Sequence, residues 1–159
     1  MKNTGWTALA VLLLLAASLA PGRAEAARPA ASFEGLVKVT DRGGLCPRGE
    51  CSSEVVIGRD GRWVWKDGRS ALREGRLSAR ELSSLKAAVR KTDFEAVMAR
   101  RFSGTCPTAF DGQERTYAFN APQGAVAIPS CTYDVDPALP VFRLLNDLLT
   151  KIRLRSAAR

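Results

Sequence analysis

Four cysteines, Cys46, Cys51, Cys106 and Cys131, set the tightest limit on how this chain can fold. An even count in a small exported domain reads as two disulfides, which allow three connectivities. The expected pairing is Cys46–Cys51 with Cys106–Cys131. The first would close a short turn containing Pro47 and Gly49, where chain reversal is easy. The second would tie a long loop to the end of a strand. Loop-closure entropy gives roughly 2 kcal/mol for the short ring and about 3.5 kcal/mol for the long one. Crossed pairings close longer rings, so entropy by itself does not choose between the three. A zinc site is the rival use of four thiols. It lacks both a C-x-x-C pair and any histidine, since the chain has His 0. A redox site would also want C-x-x-C. No metal and no cofactor is expected.

The oxidising compartment is supplied by the amino terminus. A basic start at Lys2, an uncharged apolar run over residues 8–20 and a small-residue exit describe a secretory signal peptide. Ala24-Glu25-Ala26 places cleavage after Ala26, so residues 1–26 are read as the leader. Pro21 argues against cleavage after Ala20. The run is about 13 residues, short of the roughly 20 that a spanning helix needs. Nothing after it reaches that length. The expected product is exported, periplasmic or extracellular, and does not span a membrane. Residues 27–32 read as a disordered lead-in, residues 33–155 as one α+β domain, and residues 156–159 as a tail.

Period-two alternation over residues 33–41 predicts a half-buried strand, with Val37 and Val39 on one side and Lys38 and Thr40 on the other. Gly43-Gly44 is expected to end it and open the first cysteine loop. Val55-Val56-Ile57 predicts a second strand. Asp60-Gly61 then gives a hairpin, with Trp63 and Trp65 sharing one face of a third strand. After Asp67-Gly68, residues 71–77 are a candidate for a short further strand. Ser78-Ala79-Arg80-Glu81 fits a capping box, with Leu77 and Leu82 as its staple. Leu82, Leu85 and Val89 continue at helical spacing. Thr92-Asp93-Phe94-Glu95 predicts a second short helix to about residue 101. Residues 102–114 read as a polar loop, followed by paired strands over 115–120 and 125–131. An amphipathic helix over 137–155 closes the chain, with Val141, Leu144, Leu145, Leu148 and Ile152 as its stripe. The order β-β-β-α-α-β-β-α argues for an antiparallel sheet of about five strands, packed on one face by two or three helices.

Chemistry is harder to find. Without histidine, a Ser-His-Asp or Cys-His site cannot be built within the chain. Carboxylate pairs such as Asp111 with Glu114, or Asp134 with Asp136, are what a small hydrolase would use. Pairs of that kind occur in any chain with this many acidic residues. The glycines mark turns, not a phosphate loop. No catalytic residue is therefore assigned, and enzymatic activity is not the expectation. The net charge of +8 favours anionic partners without selecting one, and no specific nucleic-acid signature accompanies it. The segment with most to offer is residues 102–115, a disulfide-tethered loop presenting Asp111, Gln113, Glu114 and Arg115. Trp63 and Trp65, interleaved with Arg62, Lys66 and Arg59, form a second contact candidate, with burial under the helices as its plain alternative.

Taken together, Gly44-Leu45-Cys46-Pro47, the Asp60-Gly61 hairpin, Leu77-Ser78-x-x-Glu81-Leu82, Asp93-Phe94 and Gly104-Thr105-Cys106-Pro107 with Asp111-Gly112-Gln113-Glu114 resemble short exported bacterial proteins of uncharacterised function. The resemblance runs over about residues 33–152. It implies an exported α+β domain and supplies no activity. The expectation is a non-enzymatic periplasmic or secreted binding module whose partner the sequence does not identify, an envelope protein or an anionic polymer being the candidates. An electrostatic binder of anionic envelope polymers stands as the alternative, and a carboxylate-based hydrolase as the remote one.

Overall fold

A computed structural model describes residues 33–46, 49–68 and 71–157, with the side chains of 46, 49, 50, 71 and 157 outside the description. The expected leader and lead-in lie outside it too. The ordered elements are β1 (Val37–Cys46), β2 (Gly49–Ile57), β3 (Arg62–Asp67), β4 (Ala71–Arg76), α1 (Ala79–Lys91), α2 (Phe94–Ala99), β5 (Gln113–Ala121), β6 (Gly124–Pro129) and α3 (Pro140–Ala157). A single 3-10 turn, Pro107–Phe110, precedes β5.

The strands form one antiparallel sheet in the order β4-β3-β2-β1-β5-β6. It has six strands, not about five. Residues 71–76 complete the meander and become its edge. Two further expectations are corrected at the first hairpin. β1 runs through Gly43-Gly44 to Cys46, and β2 begins at Gly49, because an irregularity between Arg42 and Leu45 absorbs the glycines without ending the ladder. Gly43 sits at φ +101, and a Cβ there would lie 2.8 Å from the Gly112 carbonyl oxygen, so only glycine lets the strand pass this close.

Alternation decides which side chains are buried. Val37 and Val39 of β1, Val55 and Ile57 of β2, Trp63 of β3, Tyr117 and Phe119 of β5, and Val126 and Ile128 of β6 share one face and enter a single core. All three helices contribute to that same core: Leu85 and Val89, Phe94 and Val97, then Val141, Phe142, Leu145, Leu148, Leu149 and Ile152. Phe119 anchors the centre, with its ring 4.8 Å from Phe94 and 6.1 Å from Phe142 between centroids.

The helix starts follow their sequence signals. The Ser78 hydroxyl oxygen accepts from the Glu81 N–H at 3.2 Å, while Glu81 accepts from the Ser78 N–H at 2.9 Å. That backbone hydrogen bond is the main reason the Glu81 carboxyl is held below the usual glutamate range, with Lys151 and Arg155 of α3 adding to it against partial burial. Asp93 accepts from the Ala96 N–H at 3.0 Å and caps α2. The α2 helix stops at Ala99, where Arg100 turns to extended backbone and Arg101 bridges to Tyr133. The α3 helix extends through Ser156, which is buried with its hydroxyl on the Ile152 carbonyl, so the expected tail begins later than residue 156.

Cys106 and Cys131 are disulfide-bonded with 5.2 Å between their Cα atoms, the long-ring pairing expected from the sequence. The Cys46–Cys51 pairing falls partly on a side chain outside the described residues. No described cysteine is free. Among the described residues, no helix is long and apolar enough to cross a membrane.

Candidate functional site

The segment singled out by sequence divides into an inner and an outer part. The inner part is Arg115. It lies opposite Asp41 in the β1–β5 ladder, on the helix-covered face. Its Nε donates to Asp41 Oδ1 at 2.6 Å and its Nη2 to Oδ2 at 3.0 Å, a bidentate fork. Arg153 of α3 donates to the same carboxylate at 2.9 Å, and the Ser53 hydroxyl reaches it at 3.4 Å. Arg115 also donates to Asn146 Oδ1 at 3.3 Å. Asp41 is buried, so this carboxylate has exchanged water for two guanidinium groups. Asp41 in turn raises the pKa of Arg115, first through the hydrogen bond. The cluster clamps α3 to the centre of the sheet. Sequence reasoning offered Arg115 as a contact residue, whereas its charge is spent inside the fold. Glu114 is half-buried and accepts from the Cys131 N–H at 3.3 Å, which places it in the framework of the disulfide.

The outer part is the 3-10 turn. The Ala109 N–H donates to the Cys106 carbonyl at 2.9 Å and the Gly112 N–H to the Pro107 carbonyl at 2.8 Å. Asp111 closes the turn in the left-handed region at φ 59, a conformation that aspartate tolerates better than most residues. Thr108 packs on the bulge of β1, where a Cβ on Gly43 would be 2.9 Å from its methyl group. The turn is therefore fixed by backbone hydrogen bonds, by the disulfide at Cys106 and by the β1 bulge. On this fixed support Phe110 is 77% exposed.

A second exposed apolar residue belongs to the neighbouring backbone. Leu45, one residue beyond the bulge, is 80% exposed. The backbones meet at this point, since a Cβ on Gly44 would lie 3.2 Å from the Asp111 carbonyl oxygen. Asp111 and Gln113 are also exposed there. Of the residues named from sequence, Asp111 and Gln113 thus remain on a surface, Arg115 turns inward, and Glu114 is half-buried on the opposite face of the strand. Phe110 and Leu45 were overlooked. Exposure cannot be read from a lone aromatic in a loop, and Leu45 looked like part of a turn.

The Trp hairpin takes the buried alternative. Trp63 is 4% exposed, and Trp65 is partly buried against the core. Their parity in β3 matches Ile57 and Val55 of β2, which places both under the helices. Of the carboxylates considered for hydrolysis, Asp134 is exposed, Asp136 is half-buried, and neither stands free. Asp134 and Asp136 both pair with Arg100, and Asp136 also accepts from the Ala138 N–H at 2.9 Å. Among the described residues no group of three or more His, Cys, Asp or Glu side chains is placed to hold a metal ion. Compared with known proteins, the chain matches no family model and no curated protein.

Proposed function

We propose that this protein is an exported binding module whose contact surface is the disulfide-anchored end of the sheet, with Phe110 and Leu45 as apolar anchors and Asp111 and Gln113 at their rim. One observation carries the reading: two large apolar side chains stand almost fully exposed on a backbone held from three directions. Folding gains nothing from displaying them. Burying a side chain of this size is worth about 1.5–3 kcal/mol, and a pair on a rigid support can supply the centre of an interface. Preorganisation by the disulfide and the bulge lowers the ordering cost on association. The partner is a protein of the cell envelope with an apolar recess. No chemical step is assigned to the site. Export, the signal peptide and the resemblance to short exported bacterial proteins belong to the same reading.

The test uses the oxidised protein immobilised against native envelope extract, in low and high salt. A partner retained at high salt by the wild type, and lost from Phe110→Ser/Leu45→Ser with folding intact, is the expected result. Retention by the double variant moves the contact surface away from this end. Retention that vanishes with salt in both proteins would favour an anionic polymer instead.

A further inference from the structure

At the opposite edge of the sheet, β4 leaves a cavity of about 600 Å³ between its own side chains and the end of α3. Trp63, Leu72, Arg73, Gly75, Arg76 and Arg155 line it, together with the single carboxylate Glu74. We propose that this cavity binds the oxyanion of an acidic ligand, a carboxylate or phosphate group held by Arg73, Arg155 and Arg76. The inference is independent of the Phe110–Leu45 surface.

The first support is the state of the three guanidinium groups. Arg73 is exposed, and its guanidinium has no hydrogen bond or ion pair among the described residues. Arg155 comes no nearer than 3.7 Å to Glu81 Oε1, an oxygen that Lys151 already holds at 3.2 Å. Arg76 donates to the Asp60 carbonyl at 3.0 Å and meets the Asp60 carboxylate only at 3.5 Å. Donors thus outnumber acceptors at this spot, and planar guanidinium forks match carboxylate and phosphate groups.

The second support lies in the floor. The indole N–H of Trp63, like that of Trp65, is buried without a hydrogen-bond partner among the described residues, an uncommon state for a polar group in a folded protein. The adjoining ring edge lies against Gly75, where a Cβ would stand 2.7 Å from Cε2 and 2.4 Å from Cζ2. Only glycine lets the indole pack this closely on β4. Trp63 lines the cavity with the under-committed guanidinium groups, so its orphan donor adjoins a space that suits an acceptor-rich occupant. Leu72, 62% exposed, adds an apolar wall on which the ring face of a sugar could rest.

The free oxyanion and the charged unit of a polymer share this chemistry, and the experiment separates them. The full oxidised chain would be titrated with tri-galacturonate, the neutral trisaccharide maltotriose and inorganic phosphate, following backbone amides and the Trp63 indole N–H by NMR. Saturable shifts of Trp63 and β4 with tri-galacturonate but not maltotriose are expected, weakened at least tenfold in Arg73→Gln/Arg155→Gln and unchanged in Phe110→Ser/Leu45→Ser. Competition by phosphate then assigns the site to free oxyanions, and failure to compete assigns it to the acidic sugar unit. Shifts spread over the whole basic surface, equal affinity in the arginine variant, or no saturable shift with either charged probe would overturn the proposal.

Discussion

The Trp63–Trp65 hairpin and the Cys106–Arg115 segment look alike in sequence, each mixing aromatic and charged residues between turn signals, yet they end in opposite environments. In the hairpin every residue belongs to a ladder. Trp63 stands beside Ile57 and Trp65 beside Val55, so the side-chain period of two carries both indoles to the helix side. In the cysteine segment Phe110 belongs to a 3-10 turn outside any strand, and nothing in its surroundings directs it inward. Arg115, five residues on, has rejoined a ladder and is drawn in by the same parity rule, where Asp41 receives it. What separates the buried side chains from the exposed one in these two segments is the inner-face register of the sheet, not hydrophobicity.

Substitutions on the inner face test this contrast most severely. Trp63→Ala removes a buried indole from beneath the helices and should cost about 3–5 kcal/mol, read from urea unfolding. A loss below about 1 kcal/mol would mean that the indole is dispensable to the core. Arg115→Met keeps the aliphatic stem but leaves the buried Asp41 carboxylate with Arg153 as its remaining cation. Its expected cost is about 3 kcal/mol, with the same variant in an Asp41→Asn background costing markedly less. If the two changes simply add, the clamp between β1, β5 and α3 is not an energetic unit.

The smallest effect concerns acid. Because the folded Glu81 carboxyl is held low by the Ser78 backbone, its stabilisation is complete above the ordinary glutamate value of about 4.3 and drains away as pH falls through the lower folded value. Unfolding free energy measured from pH 6 downward should therefore fall less steeply in Glu81→Gln than in the wild type. Parallel curves would remove Glu81 from the acid response.

Much of this architecture is legible in local sequence. The capping box at Ser78–Glu81, the Asp60-Gly61 turn and the stripe of α3 all act within a few residues, so short windows contain them. The stripe was nonetheless read too narrowly: Phe142 and Leu149 are buried as well, because α3 lies across a six-stranded sheet and packs a broad face. The ion cluster escaped notice for a different reason. Asp41 shares the parity of Val37 and Val39, and Arg115 that of Tyr117 and Phe119, so the alternation alone placed a charge on each inner face. Their meeting depends on pairing β1 with β5, and Arg115 lies 74 residues from Asp41, a separation that no local pattern specifies. The exposed tip was hidden for a similar reason, since Leu45 and Phe110 adjoin only through the close approach of Gly44 to Asp111.

The central claim is that Phe110 and Leu45 are displayed by the fold without supporting it. Urea unfolding of oxidised Phe110→Ser/Leu45→Ser beside the wild type tests this most directly. The account predicts unfolding free energies within about 0.5 kcal/mol of each other, as expected of exposed positions. A loss of about 2 kcal/mol or more would show that the pair belongs to the core, and would contradict its assignment as a contact surface.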